Sequence, residues 1–201
     1  MDMPSYPARP INGGPLERAR PKTGTWMYEP KLNGWRAIIH APSGRMYNRH
    51  GERLSIEECF KPALDILANA DVPEWLDCEA LERRLQLGRG SLVIFDYLPS
   101  PKQRRDTYTD RKAVLLSRLK ALPNWKPWQF GAPVQNALYT LEGFIPEVID
   151  ELYITLQSEN RAIGASLYEG LVAKRADAPY PVQLRSASEE TTHWVKHRWA
   201  F

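Results

Sequence analysis

Tyr28-Glu29-Pro30-Lys31-Leu32-Asn33-Gly34-Trp35-Arg36 places one lysine at a bend between two apolar, strand-like runs. Thr25-Trp26-Met27-Tyr28 leads into the bend, and Trp35-Arg36-Ala37-Ile38-Ile39-His40 leaves it. An amine held at a strand end can attack a phosphate once it is neutral. Desolvation and neighbouring cations lower a lysine pKa and make that possible. Gly34 lets the backbone approach a nucleotide closely, and Arg36 supplies a cation for phosphate or sugar oxygens. Lys-x-x-Gly-x-Arg is common by chance, and a strand-end lysine is ordinarily just solvated. The rest of the chain has to decide the reading.

The 201 residues suit one domain with at most a small appendage. With 43% hydrophobic and 25% charged residues, a packed core is expected and wholesale disorder is not. A net charge of +3 permits nucleic acid as a partner without arguing for it, since the charge must also be clustered. Cys59 and Cys78 have no metal-ligand spacing, which fits a reduced compartment. The N-terminus has no apolar signal core, and no apolar run approaches a membrane span, so a soluble, cytoplasmic chain is expected.

Residues 1–24, rich in Pro, Gly and Arg, read as an extended surface arm before a domain over residues 25–201. Arg9, Arg18, Arg20 and Lys22 of this arm could touch a phosphate backbone or simply be solvated. Residues 25–49 read as three strands, the third over Arg45–Arg49. Ile56, Phe60, Ala63, Leu64 and Leu67 have helical spacing, with Ser55 and Glu58 as a capping box. In Trp75–Leu81, alternation sets Leu76, Cys78 and Ala80 against Asp77 and Glu79. Ser91–Leu98 reads as a buried strand. Residues 100–112 read as a basic stretch, and a helix from about Thr109 to Ala121 should bury Ala113, Leu115, Leu116 and Leu119. A short strand is expected over Val134–Leu138. A helix from Pro146 to about Glu159 should bury Val148, Ile149, Leu152 and Leu156. Tyr168–Lys174 reads as a strand, and in a last strand alternation puts Lys196 and Arg198 on one face.

Five stretches now stand in an informative order: Glu29–Arg36; Asn48-Arg49-His50-Gly51; Leu76-Asp77-Cys78-Glu79; Val93–Leu98; and Glu169–Arg175 with Trp194–Arg198. The chain resembles the nucleotidyltransferase (adenylation) domain of ATP-dependent DNA ligases, within the covalent nucleotidyltransferases that include RNA ligases and capping enzymes. Glu169-Gly170-Leu171-Val172-Ala173-Lys174-Arg175 followed by Asp177-Ala178-Pro179-Tyr180 is closest to bacterial end-joining ligases. The resemblance implies an α+β, ATP-grasp-like domain of antiparallel sheets flanked by helices, with a cleft for ATP and no C-terminal OB barrel. It also implies a monomer acting on nicked or broken double-stranded DNA in repair, replication or recombination.

The same resemblance implies roles for single residues. Lys31 would attack the α-phosphorus of ATP and carry AMP. Glu29 would accept from the adenine amino group, and Phe95 would stack on the base. Arg36 and Arg49 would hold ribose and phosphate. Glu79 would bind the ribose hydroxyl or the metal shell, and Glu169 would hold Mg2+ or Mn2+. Lys196 and Arg198 would neutralise the α-phosphate, with Lys174 and Arg185 as further phosphate contacts. A bulge near Gly170 is needed for Glu169 and Lys174 both to reach the nucleotide. Read without the family, Phe95 is core and Lys196 and Arg198 are a solvated edge. The chain departs from the pattern at Asn33, where aspartate is usual, and at Cys78, where glycine is common. It ends three residues after Arg198, as either a piece of a longer protein or a stand-alone adenylation domain would, and full nick sealing would then be slower or would need a separate OB-fold or DNA-binding protein. The alternatives are a silent ATP- or DNA-binding module and an RNA ligase.

Overall fold

The computed structural model describes residues 3–16, 20–81, 87–184, 187 and 189–199. Two sheets carry the architecture. The larger has six strands in the order β5-β4-β6-β7-β9-β8: β4 is Trp35–His40, β5 Arg45–Tyr47, β6 Trp75–Leu81, β7 Ser91–Tyr97, β8 Trp125–Pro127 and β9 Leu138–Thr140. The smaller has four in the order β2-β12-β10-β3: β2 is Arg9–Asn12, β3 Trp26–Leu32, β10 Tyr168–Arg175 and β12 Glu190–Arg198. A two-stranded ladder joins β1, Tyr6–Pro7, to β11, Val182–Gln183. Among the described residues there are three α-helices: α1 Lys61–Ala68, α2 Tyr108–Leu119 and α3 Ile149–Ile163. This is an α+β fold, and no OB barrel stands among the described residues. No described helix is long and apolar enough to cross a membrane.

Sequence alternation explains the two faces of the larger sheet. Leu76, Cys78 and Ala80 enter a core with Ala37, Ile39, Phe60, Leu64 and Leu115, which α1 and α2 cover. The smaller sheet packs Tyr28, Leu32, Leu171 and Ala173 against Leu152 and Leu156 of α3. β3 and β4 are consecutive in sequence but lie in different sheets. Asn33 and Gly34 therefore carry the chain across the cleft between them, with Lys31 at one side and Arg36 at the other. A Cβ on Gly34 would lie 2.7 Å from the Ala80 carbonyl and 2.8 Å from Glu79 Cγ, so the crossing needs glycine.

Several expectations are corrected. The sheets are mixed: β2 runs parallel to β12, and β9 is parallel to both β7 and β8. The described part of the arm is extended, but β2 is a full member of the smaller sheet, and Met3, Ala8 and Leu16 are buried. Its apolar residues outweigh its Pro and Arg content. The first helix starts at Lys61 after a 3-10 turn over Glu57–Phe60, and Ser55 caps nothing. Pro62 lacks an N–H and fits only a first turn, so the helix begins there. The strand expected over Val134–Leu138 forms instead at Leu138–Thr140. The third strand of the opening run stops at Tyr47. Val148 sits in a 3-10 turn and is exposed, while Ile149, Leu152 and Leu156 are buried as expected.

α2 shows how charge misleads a sequence reading. Thr107 caps it, exchanging hydrogen bonds with Asp110. Its inward face holds Tyr108, Arg111, Leu115 and Leu119, while Ala113 is exposed. Arg111 Nε and Nη2 donate to the two Asp96 carboxylate oxygens at 2.8 and 3.0 Å, and Nη1 donates to the Asp106 carbonyl at 2.7 Å. Both side chains are shut off from solvent, at 0% and 2% exposure. Removing one partner of such a pair strands the other charge. Arg111→Met should therefore cost about 3–5 kcal/mol of unfolding free energy, read as a fall in the urea midpoint at unchanged slope.

Candidate active site

The cleft between the sheets has a volume of about 490 Å3 and is bordered by Lys31, Glu79, Phe95, Lys174, Trp194 and Lys196, among others. Lys31 ends β3 with its ammonium ion-paired to Glu169 Oε2, and Arg198 Nη2 reaches the same oxygen at 3.0 Å. Lys31 and Gly170 face one another in the β3–β10 ladder, whose register shifts between Tyr168 and Gly170. The expected irregularity is thus present. Gly170 has φ +143°, a conformation that side chains other than glycine's rarely adopt. Lys174 lines the cleft, and Glu169 meets it through Lys31 and Arg198, which do as well.

Glu79 lies in β6, opposite Arg36 of β4 in the ladder. Its Oε1 accepts the Gly34 N–H at 2.8 Å. Burial, with the charge of Glu169 added, outweighs Lys31, the Gly34 bond and Arg36 and pushes its pKa up to about 7. The fold therefore favours protonated Glu79. That contribution to stability is complete below the ordinary value of 4.5 and is lost as pH rises through about 7. Glu79→Gln, neutral at every pH, should remove a slope worth at most about 3 kcal/mol between those limits. Denaturant unfolding of both proteins across that range measures the difference.

Arg36 is held by other groups. Its Nε and Nη2 donate to Asp77 at 3.0 and 2.7 Å, and Nη1 donates to the Ala8 carbonyl at 3.3 Å. Burial opposes its charge, but Asp77 and Tyr180 keep it firmly protonated. Its guanidinium lies 5.8 Å from the Phe95 ring centre and 5.4 Å from that of Trp194. Arg49 Nε donates to His50 Nε2 at 2.9 Å, and burial together with Arg9 and Arg36 depresses its pKa. Lys196 is depressed by burial and by Arg198, Arg9 and Lys31, against Glu190. Cations therefore crowd this end of the cleft. Arg185 lies outside the described residues, as does Arg18 of the arm.

At the other end lies Glu29, only 2% exposed. Burial would raise its pKa, but Lys112 and Lys174 hold it below the usual carboxylate range. Lys174 Nζ is 2.6 Å from Glu29 Oε2 and 4.5 Å from the ring centres of Phe95 and Trp194. Burial lowers the Lys174 pKa against the pull of Glu29. The structure gives four more residues a place at the site, two of which, Arg9 and Trp194, the sequence marks without placing there. Trp194 alternates with Lys196 and Arg198 along β12, so periodicity places it in the cleft. Arg9 arrives from β2, and Lys112 and Tyr108 from α2; no local signal points to them. Of the basic stretch, Lys102, Arg104 and Arg105 are exposed, while Arg111 and Lys112 turn inward.

Asn33 Nδ2 donates to the Ser166 carbonyl at 3.0 Å, a bond that the usual aspartate could not make. Glu169 and Glu79 bring hard oxygen donors to one cleft. That suits Mg2+, which takes one or two protein carboxylates and completes its shell with water and substrate phosphate. Among the described residues no group of three or more acidic, His or Cys side chains forms an all-protein cage.

Two sheets flank a cleft that holds a lysine at the crossing between them. The fold is shared with solved structures of DNA ligases. The ligase domain of LigD from M. tuberculosis superposes with a TM-score of 0.61 at 20% identity, over 96% of this chain and 59% of that one. Mycobacterial DNA ligase D complexed with ATP gives 0.59 at 19% identity, over 96% and 60%. Chlorella virus DNA ligase-adenylate gives 0.53 at 16% identity, over 95% and 67%. The chain thus spans about three-fifths of the two LigD structures. No protein-family profile matches it, and no curated protein does.

Proposed function

We propose that this chain is the adenylation domain of an ATP-dependent DNA ligase, and that Lys31 carries AMP to the 5′-phosphate of a DNA nick. The observation that carries the reading is Lys31 itself. It sits where the chain crosses between the sheets, bonded to Glu169 and among the cations Lys196 and Arg198.

In the first step the Lys31 Nζ lone pair bonds to the α-phosphorus of ATP, and the bond to the β-phosphate oxygen breaks, releasing pyrophosphate. The amine gives up a proton to become the nucleophile, and Glu169 is its hydrogen-bond acceptor. Lys196, Arg198 and Arg49 offset the charge that builds on the phosphate oxygens. Phe95, half-buried at the cleft, provides an aromatic face for the base, and Glu29 a fixed anionic acceptor. When bound at Glu169 and Glu79, Mg2+ supplies Lewis-acid stabilisation of phosphate charge. In the second step the nick's 5′-phosphate oxygen attacks the lysine-bound phosphorus and the amine leaves. A 3′-hydroxyl then displaces AMP and closes the strand.

The exposed Lys102, Arg104 and Arg105 add backbone contacts, which salt should weaken. The Lig E ligases, described as binding DNA with a minimal scaffold, share the fold at 14% identity and a TM-score of 0.57. The test is incubation with labelled ATP and Mg2+ or Mn2+, followed by intact mass and by presentation of nicked DNA or nicked RNA. Covalent AMP that chases onto nicked DNA supports the reading. ATP binding with no adduct under either metal leaves a silent module, and transfer confined to RNA makes the chain an RNA ligase.

A further inference from the structure

Lys112 stands on α2, outside both sheets, yet its ammonium reaches the buried end of the cleft. Nζ donates to Glu29 Oε1 at 2.7 Å, to the Phe95 carbonyl at 2.7 Å and to the Leu141 carbonyl at 2.9 Å. Three N–H groups thereby meet three acceptors. Glu29 belongs to the smaller sheet. Phe95 belongs to the larger one, and Leu141 follows its strand β9. One side chain, 11% exposed, ties the two sheets together beside the nucleotide cleft.

The same bond decides what Glu29 can still accept. Its Oε1 also takes the Tyr108 hydroxyl at 2.7 Å, and its Oε2 faces Lys174 at 2.6 Å. A carboxylate oxygen offers about two acceptor positions. Lys112 and Tyr108 fill those of Oε1, and Lys174 occupies one side of Oε2. One acceptor position is left, on Oε2, the oxygen that faces Lys174, whose Nζ lies 4.5 Å from the ring centres of Phe95 and Trp194.

We propose that Lys112 is a positioning residue for base selection. With Tyr108 it saturates Glu29 Oε1 and stops the carboxylate from turning, so that the single open position on Oε2 takes one N–H of a nucleobase edge. An exocyclic amino group at that position, as in adenine, is bound. A keto oxygen there, as in guanine, meets a carboxylate and is repelled. The inference rests on the nucleotide reading of the cleft. The neighbouring Arg111 serves as the control: it is also turned inward on α2, more deeply than Lys112, but its bonds go to Asp96 and Asp106.

The experiment measures ATP and GTP binding by calorimetry on the full chain, for wild type, Lys112→Met, Tyr108→Phe and Arg111→Lys. Thermal melting of each is recorded alongside. In Lys112→Met, ATP affinity should fall about 10- to 100-fold and GTP affinity much less, so the preference collapses. The adenylation rate at saturating ATP should stay within a few-fold of wild type, placing the loss in KM. Tyr108→Phe, which keeps Lys112, should shift the preference the same way by less. Arg111→Lys should lower the melting temperature and leave the preference alone. An unchanged ATP-to-GTP ratio in folded Lys112→Met overturns the proposal. If that variant does not fold, an unchanged ratio in Tyr108→Phe does so instead. An equal collapse in Arg111→Lys also overturns it, by tracing the effect to loosening of α2. A wild-type chain that binds neither nucleotide removes the nucleotide reading itself, and this inference with it.

Discussion

Lys31→Ala should abolish the covalent AMP adduct, a loss of at least about 10^3-fold, while the protein stays folded. Both halves of that expectation come from the same geometry. The adduct needs an amine at the point where the chain crosses between the sheets, and Lys31 is the lysine bonded to Glu169 there. Removing it does not leave Glu169 alone, because Arg198 reaches the same carboxylate oxygen at 3.0 Å. Stability should therefore change little. Lys31→Arg sharpens the test. A guanidinium restores the charge and the pairing to Glu169, yet it stays protonated and cannot attack phosphorus. If Lys31 acted only as a cation, the arginine variant would retain adduct; as the nucleophile it should retain none. Intact mass after ATP treatment reads both variants, and adduct persisting in Lys31→Ala would place the nucleophile elsewhere.

Gly170→Ala should be severely damaging. Gly170 has φ +143° and pairs with both Lys31 and Arg198 across its two ladders. A Cβ there would run into the His197 carbonyl oxygen and lie 2.9 Å from Arg198 Cα and the His197 carbonyl carbon. These are backbone atoms and cannot swing aside. The strained conformation and the overpacking together should cost about 3 kcal/mol or more. Any folded fraction must open the β10–β12 pairing, which moves Glu169 and Arg198 apart. Adduct formation should fall in the folded protein as well as in the total. Equal melting temperatures for wild type and variant would show that the close approach is not needed.

The first of these effects was readable from the residues, and the second only in part. Lys31 stands out in sequence because of Gly34 and Arg36 around it and the ordered motifs that follow. The irregularity near Gly170 follows from alternation, since Glu169 and Lys174 otherwise point apart. What sequence could not show is that the glycine there is locked between two partner strands. Trp194 shares the periodicity of Lys196 and Arg198 and was legible from it. Arg9 was visible as a cation, but its place beside β12 was not. The fold class followed from the resemblance that the ordered motifs carry, whereas β6 and β12 are legible locally, because short-period alternation of apolar and polar residues is a local property. The helix start at Lys61 and the strand at Leu138–Thr140 escape a local reading, because the first-turn preference of Pro62 and the parallel pairing of β9 compete with local patterning.

Lys112 and Arg111 mark the boundary most clearly. By sequence they end a basic stretch, and free charges belong in water. Their partners Glu29 and Asp96 lie 83 and 15 residues away, so nothing near them in the chain announces burial. The sequence by itself determined an α+β chain with a lysine at a strand-end bend and carboxylates and cations at readable intervals. Tertiary structure alone decided which charges leave solvent, because a buried charge is tolerated only where a partner from a distant segment meets it.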